Sequence, residues 1–250
     1  MSKEIQKSNT SLATSTSSRK TLSSGMMAGL QASLGQVELP RMFNQLVLFV
    51  LDGSGSMDGL GISGKSKGFE VHGTVATVLE RLKESKNKNS FDIGFYAFAE
   101  ESVEMFPIKS LTQYNLIKDC FNPCEYLKNR GGTSLCSSLN ETREVALEYL
   151  EKNKNTNAKV IIIILGDGAI EDYEHCFDVK KEVNKNIKIS FATVLLETPV
   201  WQEKYGQQQD YIQEEFKSLA SEGADYISTV DPDEIRKHMI KSITKVSQLL

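Results

Sequence analysis

The sequence predicts an α/β protein: a Rossmann-like, doubly wound, mostly parallel six-stranded sheet with one antiparallel edge strand and helices on both faces. Three observations predict it. The continuous apolar runs Leu46–Leu51 and Val160–Leu165 read as strands covered on both faces, as in a parallel sheet. Segments with apolar residues at helical spacing alternate with such runs, which is the rhythm of a wound α/β sheet. Two strand-like segments are joined only by the short turn Glu100-Glu101-Ser102, so one hairpin is inserted early.

The elements follow in order. Residues 1–40 form a first unit: twelve Ser or Thr lie between Ser2 and Ser24, with few apolar side chains, so a flexible arm is expected. Met26, Met27, Leu30 and Leu34 sit at helical spacing, so a short docking helix stands beside the plain leader as a reading of that stretch. Residues 41–250 form the second unit. After the strand Leu46–Leu51, Val71, Val75, Val78, Leu79 and Leu82 mark one face of a helix. Phe91, Ile93, Phe95 and Ala97 alternate as a strand, and Val103–Ile108 is the next, with Pro107 suited to a sheet edge. Gln113–Leu127 reads as loop or weak helix, leading to a helix that carries Leu139, Thr142, Ala146 and Leu150. Val160–Leu165 comes next, then a polar helix near Asp172–Asn184 and a strand at Ile189–Leu196. Ile212, Phe216, Leu219 and Ala220 mark the following helix, and Asp225–Val230 the last strand. Asp231-Pro232-Asp233-Glu234 starts a helix, with proline at its first position and acids in its first turn. Ile235, Met239, Ile243, Val246 and Leu250 run along it.

Composition removes several function classes. With 29 basic and 33 acidic side chains in 250 residues, net charge −4, no global positive field holds a nucleic acid. No apolar run approaches the roughly 18 residues that span a bilayer, so no membrane partner is expected. Four cysteines do not make a disulfide scaffold, and no apolar segment follows Met1–Lys7, so the expected compartment is a reducing cytoplasm. An organelle transit peptide would want more arginine than this arm has. Cys120 and Cys124 are spaced C-x3-C without a second pair at zinc-like distance, and plain thiols are expected of them, as of Cys136 and Cys176.

The chemistry-bearing residues sit where the strands end. Open sheets of this class bind ligands beyond the C-terminal ends of their strands. Asp52-Gly-Ser54-Gly-Ser56 follows the first strand, Gly166-Asp167-Gly168 follows the fourth, and Gly131-Gly132-Thr133-Ser134 precedes the helix near Cys136. Asp52, Ser54, Ser56, Thr133 and Asp167 thus supply two carboxylates and three hydroxyls, all hard donors suited to a small divalent cation. A site with only two carboxylates under-neutralises the ion and leaves it able to take an acid from elsewhere.

These three segments resemble the metal-ion-dependent adhesion site of von Willebrand factor type A domains, and the likeness extends over Arg41–Leu250. The resemblance implies that Ser54, Ser56 and Thr133 ligate Mg2+ directly, while Asp52 and Asp167 often act through water. Mn2+ or Ca2+ are substitutes, and a protein partner's Asp or Glu completes the shell. It also implies a Thr133 loop that shifts between affinities, and a binding role without catalysis. Signal-less, single-domain relatives similar to the tellurite-resistance TerY-like proteins imply a cytoplasmic scaffold linked to kinases, phosphatases, stress or defence. The glycine-rich stretch Asp58–Gly68 is longer than the family's usual connection. It is read as a cover for the metal or a partner contact, with Lys65 and Lys67 as solvated loop charges.

The remaining residues are read more plainly. Glu171 and Asp172 begin the next helix, while His72, His175 and His238 are surface or packing residues. Trp201 and Tyr205 offer an aromatic contact surface or simple packing. The enzymatic alternative is a haloacid dehalogenase-like phosphatase using Asp52 and Asp167, since Gly166-Asp-Gly-Ala-Ile-Glu-Asp172 resembles its acidic motif. That chemistry wants a proton-donating acid two residues after the nucleophile, where Ser54 stands. Nucleotide binding is not expected: neither glycine-rich phosphate motif is read after the first strand, and Gly59 is placed one position from where Gly64-Lys65-Ser66 would want its upstream glycine. A receiver fold would want an acidic pair after its first strand and a lysine after its last, and has neither.

Overall fold

The computed structural model describes residues 43–197 and 206–248. Readings placed on residues 1–40, Trp201, Tyr205 and Leu250 lie outside them. The six strands are β1 (Phe43–Asp52), β2 (Phe91–Phe98), β3 (Ser102–Ser110), β4 (Asn157–Gly166), β5 (Ile189–Leu195) and β6 (Tyr226–Ser228). They stand in the order β3-β2-β1-β4-β5-β6. All neighbours are parallel except β2 and β3, the predicted hairpin. The β2–β3 register breaks around Gly94 and Phe95, close to where Pro107 withholds an N–H from the ladder.

The helices are α1 (Lys67–Lys83), α2 (Cys136–Lys152), α3 (Tyr173–Val183), α4 (Gln209–Leu219) and α5 (Pro232–Gln248). Side chains alternate across the central strands, so each strand feeds two cores. Val47, Phe49, Leu51, Ile161 and Ile163 pack with Val71, Val75 and Val78 of α1 and with Met239 and Ile243 of α5. Leu46, Leu48, Val50, Ile162 and Ile164 pack with Leu139 and Ala146 of α2, Cys176 of α3, and Ile212 and Phe216 of α4. Burial on both faces is why β1 and β4 lack polar alternation. Gln45, buried in β1, donates through Nε2 to the Ile243 carbonyl at 2.8 Å, which ties α5 to the sheet.

Two elements differ in extent from expectation. The last strand pairs over Tyr226–Ser228 alone, because Gly223–Asp225 close a 3-10 turn before it and Thr229 to Asp231 lead into α5. The stretch 111–127 is indeed loop and 3-10 turn, but it is anchored by buried Leu111, Tyr114 and Phe121. The Tyr114 hydroxyl donates to the Ile93 carbonyl at 2.8 Å, and Phe121 lies against Phe95 with ring centroids 5.1 Å apart. Among the described residues, no helix is long and apolar enough to cross a membrane.

Candidate functional site

β1 and β4 run parallel as neighbours, with Leu51 opposite Leu165. That register puts Asp52, the last residue of β1, beside Gly166 and Asp167 at the same sheet edge. Backbone bonds bring a third loop there. The Gly55 N–H donates to the Arg130 carbonyl at 2.8 Å, Ser134 N–H to Ala99 O at 2.8 Å, and Glu171 N–H to Thr133 O at 3.1 Å. The Gly131–Ser134 loop is therefore pinned between the segments that follow β1, β2 and β4.

Four of the five expected side chains form a bonded group. Asp52 is fully buried and accepts from the Ser54 N–H at 2.8 Å through Oδ1, and from the Asp167 N–H at 3.4 Å through Oδ2. The Ser54 and Ser56 hydroxyls bond each other at 2.9 Å, and Ser56 donates to Asp167 Oδ1 at 2.5 Å. Thr133 lies on the adjoining loop, half-buried. Among the described residues, its hydroxyl has no hydrogen bond to the other four.

Close approach explains the glycines on either side. A Cβ on Gly53 would lie 2.5 Å from Leu127 Cδ1 and 3.0 Å from the Pro123 carbonyl. A Cβ on Gly166 would meet Asp52 Oδ2 at 3.1 Å and the Phe216 ring at 3.0 Å. Both residues let backbone pass where a side chain would push the carboxylate or its loop aside.

Electrostatics give the group its appetite. Burial raises the Asp52 carboxyl well above the ordinary carboxylate range, and the neighbouring Asp167 charge adds to the rise. Two carboxylates in one poorly solvated spot call for a cation. The donors, all carboxylate or hydroxyl oxygen, fit a small hard dication, whose charge would offset that of the buried Asp52 carboxylate.

One residue the sequence reading placed elsewhere, Lys67, and two it did not mention, Arg130 and Glu215, surround the site. Lys67, expected as a solvated charge, is only 8% exposed, and its ammonium pairs with Asp167 Oδ2. Lys65 does stay at the surface, its ammonium 4.2 Å from the centroid of the Phe69 ring. Arg130 donates through Nε to Gly53 O at 2.6 Å and through Nη2 to Ser54 O at 3.1 Å, and it forks onto Asp58 at 2.9 and 3.0 Å. Glu215 of α4, buried, accepts from the Ile170 N–H at 3.3 Å and steadies the loop after β4. The partners of Lys67, Arg130 and Glu215 all lie more than 40 residues away in sequence.

The histidines play packing or surface roles. His72 Nδ1 accepts from the Phe121 N–H at 2.9 Å, and buried His238 bonds the Asp225 carbonyl through Nε2 at 3.1 Å. His175 is exposed.

Asp172 begins α3 as expected, but its carboxylate serves another helix. Oδ1 accepts from Leu135 N–H at 2.9 Å and Oδ2 from Cys136 N–H at 3.0 Å, at the start of α2. Cys136, Asp172 and Cys176 bring their ligand-type atoms within 4.8 Å of one another. Burial first, and the Asp172 charge second, push both thiols up, so they stand as protonated thiols. Cys120 and Cys124 are free and half-buried.

The glycine-rich loop also needs a correction. Gly59-Leu-Gly-Ile-Ser-Gly-Lys-Ser66 spells both G-x-G-x-x-G and G-x-x-x-x-G-K-[ST]. In a phosphate loop such a stretch leaves its strand directly and turns its N–H groups toward the anion. Here Gly53 to Asp58 intervene, and Leu60 bridges Ser66 in a closed antiparallel turn with Gly61 N–H on Lys65 O at 2.8 Å. The Glu70 carboxylate already accepts the Ser63 N–H at 2.6 Å. The motif is present and its geometry is not.

Comparison with known proteins follows the same lines. A family model described as von Willebrand factor type A domain matches residues 47–241. Proximal thread matrix protein 1 from the mussel byssus, solved with a zinc-occupied MIDAS motif, is 16% identical over 82% of this chain and 46% of that one, with a TM-score of 0.56. The pilus adhesin SpaC from Lactobacillus rhamnosus GG is 11% identical over 82% of this chain and 31% of its own, with a TM-score of 0.64. The vWF domain of the type V pili tip protein Mfa5 from Porphyromonas gingivalis is 10% identical, covering 82% and 96%, with a TM-score of 0.60. At such identities the likeness is one of fold. The chain spans less than half the length of the first structures it matches. A search by sequence among curated proteins finds no match.

Proposed function

The chain belongs to the von Willebrand factor type A domain family, and from that premise we propose that it is a metal-dependent protein-binding module rather than an enzyme. Asp52, Ser54, Ser56, Thr133 and Asp167 would hold a divalent cation, Mg2+ foremost, with Mn2+ or Ca2+ as substitutes. When bound, the ion offers an electrophilic position that a carboxylate oxygen from a partner can fill. The observation that carries the reading is the bonded line Ser54–Ser56–Asp167 set against the fully buried Asp52.

The chain's own residues prepare that position. Backbone N–H groups orient Asp52, Arg130 fixes the loop that bears both serines, and the pinned Thr133 loop closes the third side. Exposed Leu60, Ile62 and Phe69 on the neighbouring loop and helix start offer apolar contact to a partner whose acid reaches the metal. Free thiols support a reducing, cytoplasmic setting. A scaffold role in a kinase-, phosphatase- or stress-linked system rests on the family resemblance alone.

The phosphatase alternative has less support. Ser54 occupies the position of the proton donor, and both Asp172 oxygens are spent on backbone N–H groups. Proteins retained by the immobilised chain should be lost in EDTA and return with Mg2+ or Mn2+. The Ser54→Ala/Ser56→Ala variant should retain none while keeping the wild-type circular dichroism spectrum. Metal-insensitive capture by that variant would sink the reading, and aryl phosphate release abolished by Asp52→Asn would replace it with the enzyme.

A further inference from the structure

Lys67 stands where a lysine is hard to justify on local grounds. It is the first residue of α1, next to the N-cap Ser66, where the helix dipole disfavours a cation. It is also buried, and buried ammonium groups need a partner. The partner is Asp167 Oδ2, on the carboxylate that receives the Ser56 hydroxyl through its other oxygen.

The loop before α1 is shaped around this side chain. The Lys67 N–H donates to the Gly59 carbonyl at 2.9 Å, and a Cβ on Gly59 would lie 3.4 Å from Lys67 Cε and 3.8 Å from Nζ. The antiparallel turn Leu60–Ser66 thus holds the lysine inward while Lys65, two residues earlier, faces solvent.

We propose that Lys67 is a tethered cation that competes with the divalent metal for Asp167, so that loading the site requires its ammonium to leave. This rests on the metal-site reading above. Asp52 and Asp167 together offer two negative charges. The ammonium already offsets one of them, and a dication added without its departure would leave two cations side by side in a poorly solvated pocket. Exchange restores neutrality. An exit also exists: a cleft beside the lysine stem is lined by Gly61, Glu70, Val71 and Ile235. Glu70 lies three positions on along α1, within reach as a second carboxylate. Because the lysine heads α1, its release frees the turn that carries exposed Leu60 and Ile62, and metal loading is coupled to that partner-facing surface.

Manganese binding to the whole chain, read by electron paramagnetic resonance, tests the exchange. If the lysine-paired form dominates without metal, Lys67→Met should bind Mn2+ about tenfold more tightly than wild type, since the closed population no longer taxes affinity. A second measurement uses the unaltered protein, so it holds even if the variant fails to fold. Acetylation of Lys67 by an amine-reactive ester, quantified by peptide mass spectrometry, should rise about tenfold from EDTA to saturating Mg2+, in proportion to the opened fraction. Lys152, exposed at the C-terminal end of α2 away from the turn, serves as the constant reference. Equal Mn2+ affinity in the two proteins, or a Lys67 that stays protected in Mg2+, overturns the competition and leaves the metal site standing. Absence of Mn2+ uptake by either protein overturns both.

Discussion

The guanidinium of Arg130 donates to two backbone carbonyls of the loop after β1, Gly53 and Ser54, as well as to Asp58. The Asp58 carboxylate is 62% exposed, so the ion pair itself contributes little, about 0.5 kcal/mol or less. The carbonyl contacts contribute more, because they hold the two serines in place. Arg130→Met is expected to lower unfolding free energy by about 1.5–3 kcal/mol, the range for hydrogen bonds to a charged group. It should also weaken Mn2+ uptake, whereas Asp58→Asn should do neither. Urea titrations of both variants, with and without metal, would separate the two contributions. Arg130 shows why part of the site was not legible in the sequence: Asp52, Ser54, Ser56 and Asp167 follow predictable strand ends, but Arg130 reaches its carbonyl partners across 76 and 77 residues. No local pattern marks such a tether. Lys67, 100 residues from Asp167, was misread as a solvated charge for the same reason.

At the scale of elements, α2 is capped by a different helix's leader. Its N-cap position, Leu135, has no side chain able to accept, and its first turn carries no acid. Asp172 supplies both acceptors from the other side of β4. Asp172→Ala should therefore destabilise the fold by about 1–2 kcal/mol, as loss of an N-cap does. The loss should appear first as faster amide exchange in the first turn of α2, since a cap acts there. Unchanged exchange at Leu135 and Cys136 would show that water replaces the carboxylate without cost. The helices and strands themselves were legible because their periodicities follow from burial: 3.6 along Val71, Val75, Val78 and Leu82, and unbroken apolar runs in β1 and β4. The extent of β6 was not, because Asp225–Val230 reads as strand while only Tyr226–Ser228 finds β5 to pair with.

For the molecule as a whole, the two cores lie on opposite faces of the sheet, and Phe95 is one centre of the aromatic cluster in the first of them. Its ring stacks on Phe49 at 4.8 Å and meets Tyr114 at 5.6 Å and Phe121 at 5.1 Å, so it joins the sheet to the irregular stretch 111–127. Truncation by Phe95→Ala is expected to cost about 3–5 kcal/mol, visible as a lower denaturant midpoint, and to raise proteolysis within 111–127 before the rest of the chain. Cleavage no earlier there than elsewhere would argue that the stretch is held by its own contacts. Tyr114 and Phe121 anchor to β2 rather than to a neighbouring turn of their own stretch, which is why the sequence read there only as loop or weak helix. Fold, then, was readable from repetition and the strand-end acids and hydroxyls from position, whereas tethers such as Arg130 and anchors such as Phe121 carry no such mark.

The rims of the sheet have a bearing on how the protein meets others. β3 carries a proline and a broken register, and β6 offers three residues. Neither margin is a template on which a second copy could extend the ladder. On the proposed reading, recruitment falls to the loops crowning the strands, so association would be switched by what those loops hold without inviting runaway edge-to-edge growth.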